Sequence, residues 1–157
     1  MAQIFAKQRL SSGQLRAVSD RRFDDAQCLL DTGKTARANG AMYLGGFVIE
    51  CLLKAHLLDA YGWLQSARSP EGRSTSEQRL WNLCYRSHEL DEILDKLPNV
   101  AHRLQAAERE GHSRLMDGLK KLCGQWTIYA RYSPRQADIE DAREFLARLK
   151  EVKKWLR

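Results

Sequence analysis

One sixteen-residue stretch, YLGGFVIECLLKAHLL from Tyr43 to Leu58, constrains the fold more than any other part of the chain. At about 100° per residue, its apolar side chains lie on every face of a helix. A helix that is apolar all round is stable in water only when other parts of the protein surround it. The sequence therefore predicts a central, buried helix over about residues 41–61, ended by Gly62.

Two charged residues, Glu50 and Lys54, interrupt this apolar helix and lie four residues apart on one of its faces. An exposed pair at this spacing stabilises a protein by only about 0.3–0.5 kcal/mol. In a buried pair, the loss of one partner costs about 3–5 kcal/mol, because the remaining charge is left uncompensated. Two interpretations stay open: a structural ion pair joined by a third group such as Arg131, and a polar patch in a cleft or at a dimer seam. The adjacent Gly45 and Gly46 would allow another helix or backbone to approach closely.

The chain before the central helix contains a basic stretch and a further helical segment. Residues 1–18 are predicted to form a basic N-terminal arm, either frayed or a short helix. Ser19 and Asp20 are good N-caps, and the Asn-Gly pair at 39–40 is a good helix end. We therefore expect a first helix between these signals, and a single bundle domain over residues 19–157.

The chain after the central helix alternates polar segments with apolar-periodic ones. Residues 66–79, SARSPEGRSTSEQR, are predicted to form a polar loop, a feature that is often functional or disordered. The later helix starts are assigned, in chain order, to a Ser74–Glu77 capping box, to Ser87, to Asn99, and to Ser133 with Pro134 and Gln136.

These later helices carry apolar stripes. Pro98 is expected to follow the helix that Ser87 caps, and the next helix is expected to run through Trp126 and Tyr129 with a weak point at Gly111. The last helix carries a stripe at spacings of 4, 3 and 4, namely Phe145, Leu149, Val152 and Leu156. No segment alternates with a period of two over strand length. The predicted fold class is therefore all-α, an up-and-down bundle of four to five main helices.

The composition limits the classes of function. The 26 Lys and Arg against 20 Asp and Glu give a formal charge of +6, which permits contact with RNA, nucleotides or an acidic protein. The four cysteines and four histidines show neither zinc-ligand nor redox spacing, so we expect no metal and no cofactor. The N-terminus lacks a signal-peptide core, and charges interrupt the longest apolar stretch. We therefore expect a cytoplasmic protein without membrane contact.

Two further segments contain candidate binding residues. His88 opens a predicted helix directly after Arg86 and Ser87, and a surface position at a helix start would explain it equally well. Arg131 and Tyr132 lie at a predicted helix end in the stretch WTIYARYSP. Aromatic rings can stack on bases and arginine can bind phosphate, so this stretch is a candidate for contact with nucleotides.

Taken together, these segments resemble the HEPN domain family of helical bundles. Three motifs carry the resemblance in the order that the family shows over about residues 20–156: Tyr43, Glu50, Lys54 and Ala55 on the long second helix; His88-Glu89-Leu90; and Arg131-Tyr132 with Pro134 before the last helix. The resemblance implies a bundle that dimerises and that is often encoded beside a small nucleotidyltransferase, with which it acts as toxin and antitoxin.

The chain departs from the family in the motif that carries catalysis. Many members are ribonucleases that use an Arg-x(4–6)-His motif from each of two subunits, and no arginine and histidine in this chain have that spacing. Arg86 and His88 are separated by a single residue. The family's nuclease chemistry therefore has no residues to carry over to this sequence.

The resemblance and the charge favour a non-catalytic module that binds RNA, a nucleotide or a nucleotidyltransferase-family partner in a toxin–antitoxin or defence-type system. The candidate ligand-binding residues are Glu50, Lys54, His88, Arg131 and Tyr132. The alternative is a divergent metal-independent ribonuclease, for which Arg86 and His88 are the first candidates for catalysis. A third possibility is a purely structural partner protein.

Overall fold

The computed structural model describes residues 9–112, 114–128 and 132–157. Within these ranges the chain forms eight α-helices and no strand, which confirms the all-α class and the helical bundle. The elements are, in chain order, α1 Ser12–Asp31, a short 3-10 turn Thr35–Arg37, α2 Ala38–Ala60, α3 Trp63–Ser66, α4 Thr75–Tyr85, α5 Leu90–Leu94, α6 Pro98–Arg109, α7 Leu115–Gln125 and α8 Ile139–Leu156.

The first helix begins eight residues earlier than the predicted N-cap Ser19 implies, because its N-cap is Ser11. Ser11 accepts a hydrogen bond from the backbone N–H of Gln14 (3.2 Å), and the Gln14 side chain accepts one from the N–H of Ser11 (2.9 Å). This capping box satisfies two N–H groups at the helix start, so residues 12–18 belong to α1 and not to an arm. Ser19, the predicted N-cap, is fully buried inside the helix, where its hydroxyl donates to the Arg16 carbonyl (2.7 Å).

The same helix ends at Asp31, and the prediction that it continues to the Asn-Gly pair at 39–40 is wrong. Gly33 has a φ of 65°, in the left-handed region that glycine adopts without strain, so the helix cannot continue through it. The hydroxyl of Thr32 donates to the carbonyl of Leu29 (2.7 Å) and helps to close the last turn. Gly40 therefore lies inside α2, which starts three residues before the predicted boundary.

The central helix α2 is buried as predicted, and its two glycines permit close contacts. A Cβ atom on Gly45 would lie 2.8 Å from the Phe145 ring of α8, and one on Gly46 would lie 1.8 Å from Nε1 of Trp126. Both distances are shorter than a real side chain tolerates. The neighbour that the glycines admit is therefore α8, together with the Trp126 indole that follows α7.

Length and composition alone would allow this helix to cross a membrane. The segment Thr35–Ala60 contains a window of mean hydropathy 1.4, of which 61% is buried inside the fold. Other helices of the same chain cover this apolar surface, as in the core helix of a soluble bundle. The apolar character of α2 is therefore weak evidence for a membrane span.

The long helices alternate in direction. Arg16 of α1 pairs with Asp59 at the far end of α2 (2.7 Å), so these two helices are antiparallel. Helix α8 runs in the same direction as α2, because Phe145 lies at Gly45 and the Leu156 carbonyl is bound to His56. Helix α7 runs opposite to α8, with Gly118 beside Val152 and Gln125 beside Arg148. The helices α1, α2, α7 and α8 thus form an up-and-down core.

The remaining helices differ in several boundaries from the predicted ones. The Ser74–Glu77 capping box is confirmed at the start of α4, and the polar loop before it is confined to residues 67–74 by the turn of α3. Pro98 follows the end of α5, as predicted, but it also opens α6 at the first helical position, so Asn99 is not the cap of that helix. Among the described residues, six helices have eleven or more residues, whereas four to five main helices were predicted. The number is higher because the helix predicted to run on from residue 99 is divided into α6 and α7.

The division between α6 and α7 and the start of α8 have local causes. Gly111 and Arg114 both have positive φ, of 99° and 54°, at the predicted weak point. The last helix starts at Ile139, where Asp138 and Asp141 form a capping box, and not at Pro134. Its predicted stripe of Phe145, Leu149, Val152 and Leu156 is confirmed as part of the core. Tyr129, on the predicted stripe before it, lies outside the described residues.

Candidate functional site

The two charges of α2 form a buried ion pair. Nζ of Lys54 lies 2.8 Å from Oε1 of Glu50, and the residues are 9% and 6% exposed. The ammonium also donates to the carbonyl of Ser87 (2.8 Å), in the segment between α4 and α5. Lys54 therefore neutralises the Glu50 carboxylate and ties α2 to this segment.

The third member of the network is His88. Its Nδ1 lies 3.0 Å from both Oε1 and Oε2 of Glu50, although the two residues are 38 positions apart in the chain. The His88 side chain is 40% exposed, whereas that of Glu50 is only 8% exposed. The structure thus brings Glu50, Lys54 and His88 together, with His88 as the member that solvent reaches.

The turn after α4 positions His88 for this contact. Helix α4 ends when the N–H groups of Arg86 and Ser87 both donate to the Asn82 carbonyl (2.8 and 2.9 Å). The Ser87 hydroxyl then accepts from the N–H of Glu89 (3.0 Å). Ser87 therefore closes a turn and is not the N-cap of α5, a position that Glu89 occupies. The turn directs the imidazole back toward α2.

The hydrogen bonds determine which nitrogen of His88 carries a proton. A carboxylate that already accepts from Lys54 has no proton to give, so Nδ1 of His88 must be the donor to Glu50. In neutral His88 the outward Nε2 is then an acceptor, and in the imidazolium it is a second donor. No partner of Nε2 is present among residues 9–112, 114–128 and 132–157. The site can therefore accept a proton or donate one to a ligand.

Arg86 precedes His88 by two residues in the chain, but its side chain packs on another residue. Its guanidinium is 5.0 Å from the ring centroid of Trp81, and the side chain is exposed. The described part of the chain provides no carboxylate ion pair for Arg86. Arg86 and His88 thus provide two basic groups within three residues. The Lys54 ammonium is instead paired with Glu50.

The other two predicted binding residues are later in the chain, before α8. Arg131 lies outside the described residues. Tyr132 lies in the described region before α8, where it is 70% exposed. Among the described residues, the third side chain in contact with the Glu50–Lys54 pair is His88. Helical spacing on α2 alone does not predict this contact.

The cysteines beside the network are poor nucleophiles. Burial raises the pKa of Cys51 to about 11, and the adjacent Glu50 carboxylate adds to that shift. Burial likewise raises the pKa of Cys84 to about 11. Both thiols are therefore protonated at neutral pH, and chemistry at this site depends on His88.

Sequence reasoning missed a cavity of about 220 Å³ at the start of α2. Its apolar wall is formed by Met42, Tyr43, Trp126 and Phe145, and its polar rim includes Asn39, Gln125, Arg135 and Gln136. The lining residues of the cavity come from three separate segments of the chain. No single sequence motif therefore predicts it. The local signals were the aromatic pair Tyr43 and Phe47 on the face of α2 that carries Glu50, and Trp126 at the start of the stretch WTIYARYSP.

Comparison of the chain with protein-family models, with curated proteins and with solved structures finds no match. The functional interpretation therefore depends on the geometry of the two sites. In the described ranges, no group of three or more His, Cys, Asp or Glu side chains is arranged to hold a metal ion.

Proposed function

We propose that the chain is a HEPN-like bundle that acts as a non-catalytic RNA- or nucleotide-binding module. The observation that carries the proposal is the contact between Glu50 and His88, which belong to two different motifs of the resemblance. A chance occurrence of short motifs would not predict hydrogen bonds between them. The order of the motifs and the +6 charge add support.

The chemistry of the site suits a phosphate. Glu50 and Lys54 cancel each other's charge inside the protein, so His88 and Arg86 present their basic groups outward. Arginine binds phosphate oxygens through paired N–H groups, and the imidazolium form of His88 can donate an additional hydrogen bond from Nε2. The buried carboxylate fixes the orientation of the imidazole, which lowers the cost of ordering it on binding.

The proposal places this module in the cytoplasm, as a homodimer with a nucleotidyltransferase-family protein as partner in a toxin–antitoxin or defence-type system. The resemblance alone supports these features. Light scattering tests the dimer directly, because the mass should be twice 18.1 kDa. A monomeric mass at all accessible concentrations would contradict the dimer and leave the phosphate site intact.

RNA binding is tested by the salt dependence of affinity. Fluorescence anisotropy with a short single-stranded RNA should give a linear fall of log K with log salt, with a slope of about −0.7 per neutralised phosphate. Arg86→Gln should make the slope less steep by about that amount. Lys121→Gln, in an exposed pair with Asp117 on α7, is the matched control. Absence of binding at low salt would favour the structural-partner interpretation.

One observation favours the second candidate, a metal-independent ribonuclease. A half-exposed histidine whose Nδ1 is held by a buried carboxylate is the arrangement that orients a general base. Incubation of the pure protein with structured and single-stranded RNA in the presence of EDTA tests it. Cleavage that is lost in His88→Ala would replace the binding-only proposal by the enzymatic one.

A further inference from the structure

The cavity at the start of α2 is preformed. Tyr43 and Trp126 stack with ring centroids 6.3 Å apart, and Phe47 meets the Trp126 ring edge-on at 5.3 Å. Nε1 of Trp126 donates to the Tyr43 carbonyl (3.1 Å), which holds the indole in its place over Gly46. Because these contacts are fixed within the fold, a ligand would not have to order the aromatic wall.

The polar rim of the cavity is also held in place. The side-chain amide of Asn39 donates to the Arg135 carbonyl (2.8 Å) and accepts from the N–H of Ala137 (2.7 Å). Gln136 donates to the Thr35 carbonyl (2.7 Å). These three bonds fasten the segment before α8 to the start of α2, so the rim and the wall form one rigid unit.

The charge at the mouth of the cavity is positive. Arg135 is exposed at the rim and makes no ion pair with any carboxylate in the described part of the chain. Three acids in the first turns of α8 are engaged elsewhere: Glu140 with Arg143, Glu144 with Arg148 (2.5 Å), and Asp141 with the N–H of Asp138 (3.2 Å). An anionic group attached to a ligand would therefore meet a guanidinium at the entrance.

Size and chemistry together define the occupant. An apolar cavity of about 150 Å³ admits benzene, so a cavity of about 220 Å³ admits a larger flat ring. The Gln136 amide nitrogen donates to the Thr35 and Ala137 carbonyls, and the Gln125 oxygen accepts from Arg148. The Gln125 N–H groups and the Gln136 oxygen are therefore left for a ring whose edge carries both donors and acceptors. We propose that this cavity binds a nucleobase, with the attached phosphate at Arg135.

This inference deepens the proposed function but uses different residues. Tyr43 and Glu50 are seven positions apart on α2, which separates the cavity from the His88 network by about 10 Å along the helix axis. The two sites share no side chain, so each can be disabled without the other. The proposed function can therefore fail while the cavity binds a base, and the reverse also holds.

Titration calorimetry on the full chain tests the proposal with four probes: adenosine and guanosine monophosphates, adenosine, and ribose 5-phosphate. We expect both nucleotides and adenosine to bind, and ribose 5-phosphate to bind at least tenfold more weakly than the nucleotides. Equal binding of ribose 5-phosphate would overturn the proposal, because the site would then recognise only an anion. Absence of binding by all four probes at millimolar concentration would also overturn it.

Variants assign the binding to the cavity. Ala137→Leu adds volume at the wall and should weaken adenosine binding at least tenfold, and Gln136→Ala serves the same purpose if Ala137→Leu fails to fold. Arg135→Gln should weaken nucleotide binding about threefold to fivefold and leave adenosine unchanged, as expected for one exposed charge contact. Unchanged adenosine affinity in both folded cavity variants would overturn the proposal.

Two controls separate the possible causes of failure. Lys121→Gln, whose exposed side chain pairs with Asp117 on α7, should leave mononucleotide affinity unchanged, and loss of that affinity would show that the nucleotides bind through unspecific charge contacts outside the cavity. N-acetyltryptophanamide represents an aromatic side chain of a protein partner. If it binds and the nucleosides do not, the cavity accepts a peptide and the nucleobase proposal is wrong, while RNA binding through Arg86 and His88 remains open to its own test.

Discussion

At the scale of single residues, Glu50 and Lys54 form a buried pair on α2 that His88 joins from the turn after α4. Helical spacing placed both on one face, and the apolar surroundings predicted burial, which the structure confirms. The third partner could not be obtained in that way, since His88 is 38 residues distant and the turn that directs it depends on hydrogen bonds among Asn82, Ser87 and Glu89. Before the structure, only the family resemblance named Glu50, Lys54 and His88 together as motif residues.

The buried pair leads to a stability prediction. Lys54→Met should destabilise the protein by about 3–5 kcal/mol, because it leaves the Glu50 carboxylate buried without its cation. Lys121→Met, in the exposed pair with Asp117, should change stability by less than about 1 kcal/mol. Urea unfolding measures both. Similar small effects for the two variants would contradict a buried, coupled pair.

His56 predicts a pH dependence of stability. Burial holds its pKa below the usual 6.5, and Nε2 is 2.6 Å from the Leu156 carbonyl at the end of α8. Below pH 6.5 the unfolded chain therefore binds more protons at His56 than the folded chain does. Stability should be fully present above pH 6.5 and should fall as the pH drops from there toward the lower, folded-state pKa.

Urea unfolding at a series of pH values from neutral to mildly acidic measures this effect, with His56→Gln as the comparison. The variant should lose less stability than the parent over that interval, because its side chain does not titrate. An identical decline in both proteins would assign the acid sensitivity to other groups.

The thiols should differ in reactivity. Cys28 is exposed, whereas Cys51, Cys84 and Cys123 have pKa values that burial raises to about 11, 11 and 12. Iodoacetamide at neutral pH should therefore label one cysteine rapidly in the folded protein and all four in urea. Mass spectrometry of the labelled chain identifies the site. Rapid labelling of Cys84 in the folded state would contradict the burial of that helix.

At the scale of helices, the central and last apolar stripes were predictable and several boundaries were not. The residue types of the missed capping boxes were present in the sequence, Ser11 with Gln14 and Asp138 with Asp141, but competing serines and a proline nearby looked equally suitable. The choice among such signals depends on which residues the fold buries. Ser19 shows this, since tertiary packing places it inside α1.

The contact between α2 and its neighbours gives a prediction at this scale. Gly46→Ala should destabilise the protein by about 1–3 kcal/mol, because a Cβ would collide with the Trp126 indole. Gly124→Ala, on the exposed side of α7 with open space around it, should stabilise by about 0.5–1 kcal/mol. Thermal unfolding compares the two. A neutral Gly46→Ala would mean that Trp126 does not pack as described.

At the scale of the whole molecule, one apolar helix was enough to predict the fold class. A helix that buries Val48, Ile49, Leu52 and Leu53 needs neighbours on every side, and α1, α8 and α5 provide most of them, with α7 beside α8. The cavity could not be predicted, because its wall and rim come from segments nearly a hundred residues apart. The Glu50–Lys54–His88 network and the cavity both form only when other segments of the chain pack around α2.

The central claim is that His88 binds RNA from a position fixed by Glu50. His88→Asn tests it most directly, because the asparagine amide can still donate to Glu50 while the outward ring nitrogen is lost. We predict a stability within about 1 kcal/mol of the parent, measured by urea unfolding, and an RNA affinity at least fivefold weaker, measured by anisotropy. Unchanged RNA affinity in the folded variant would contradict the claim.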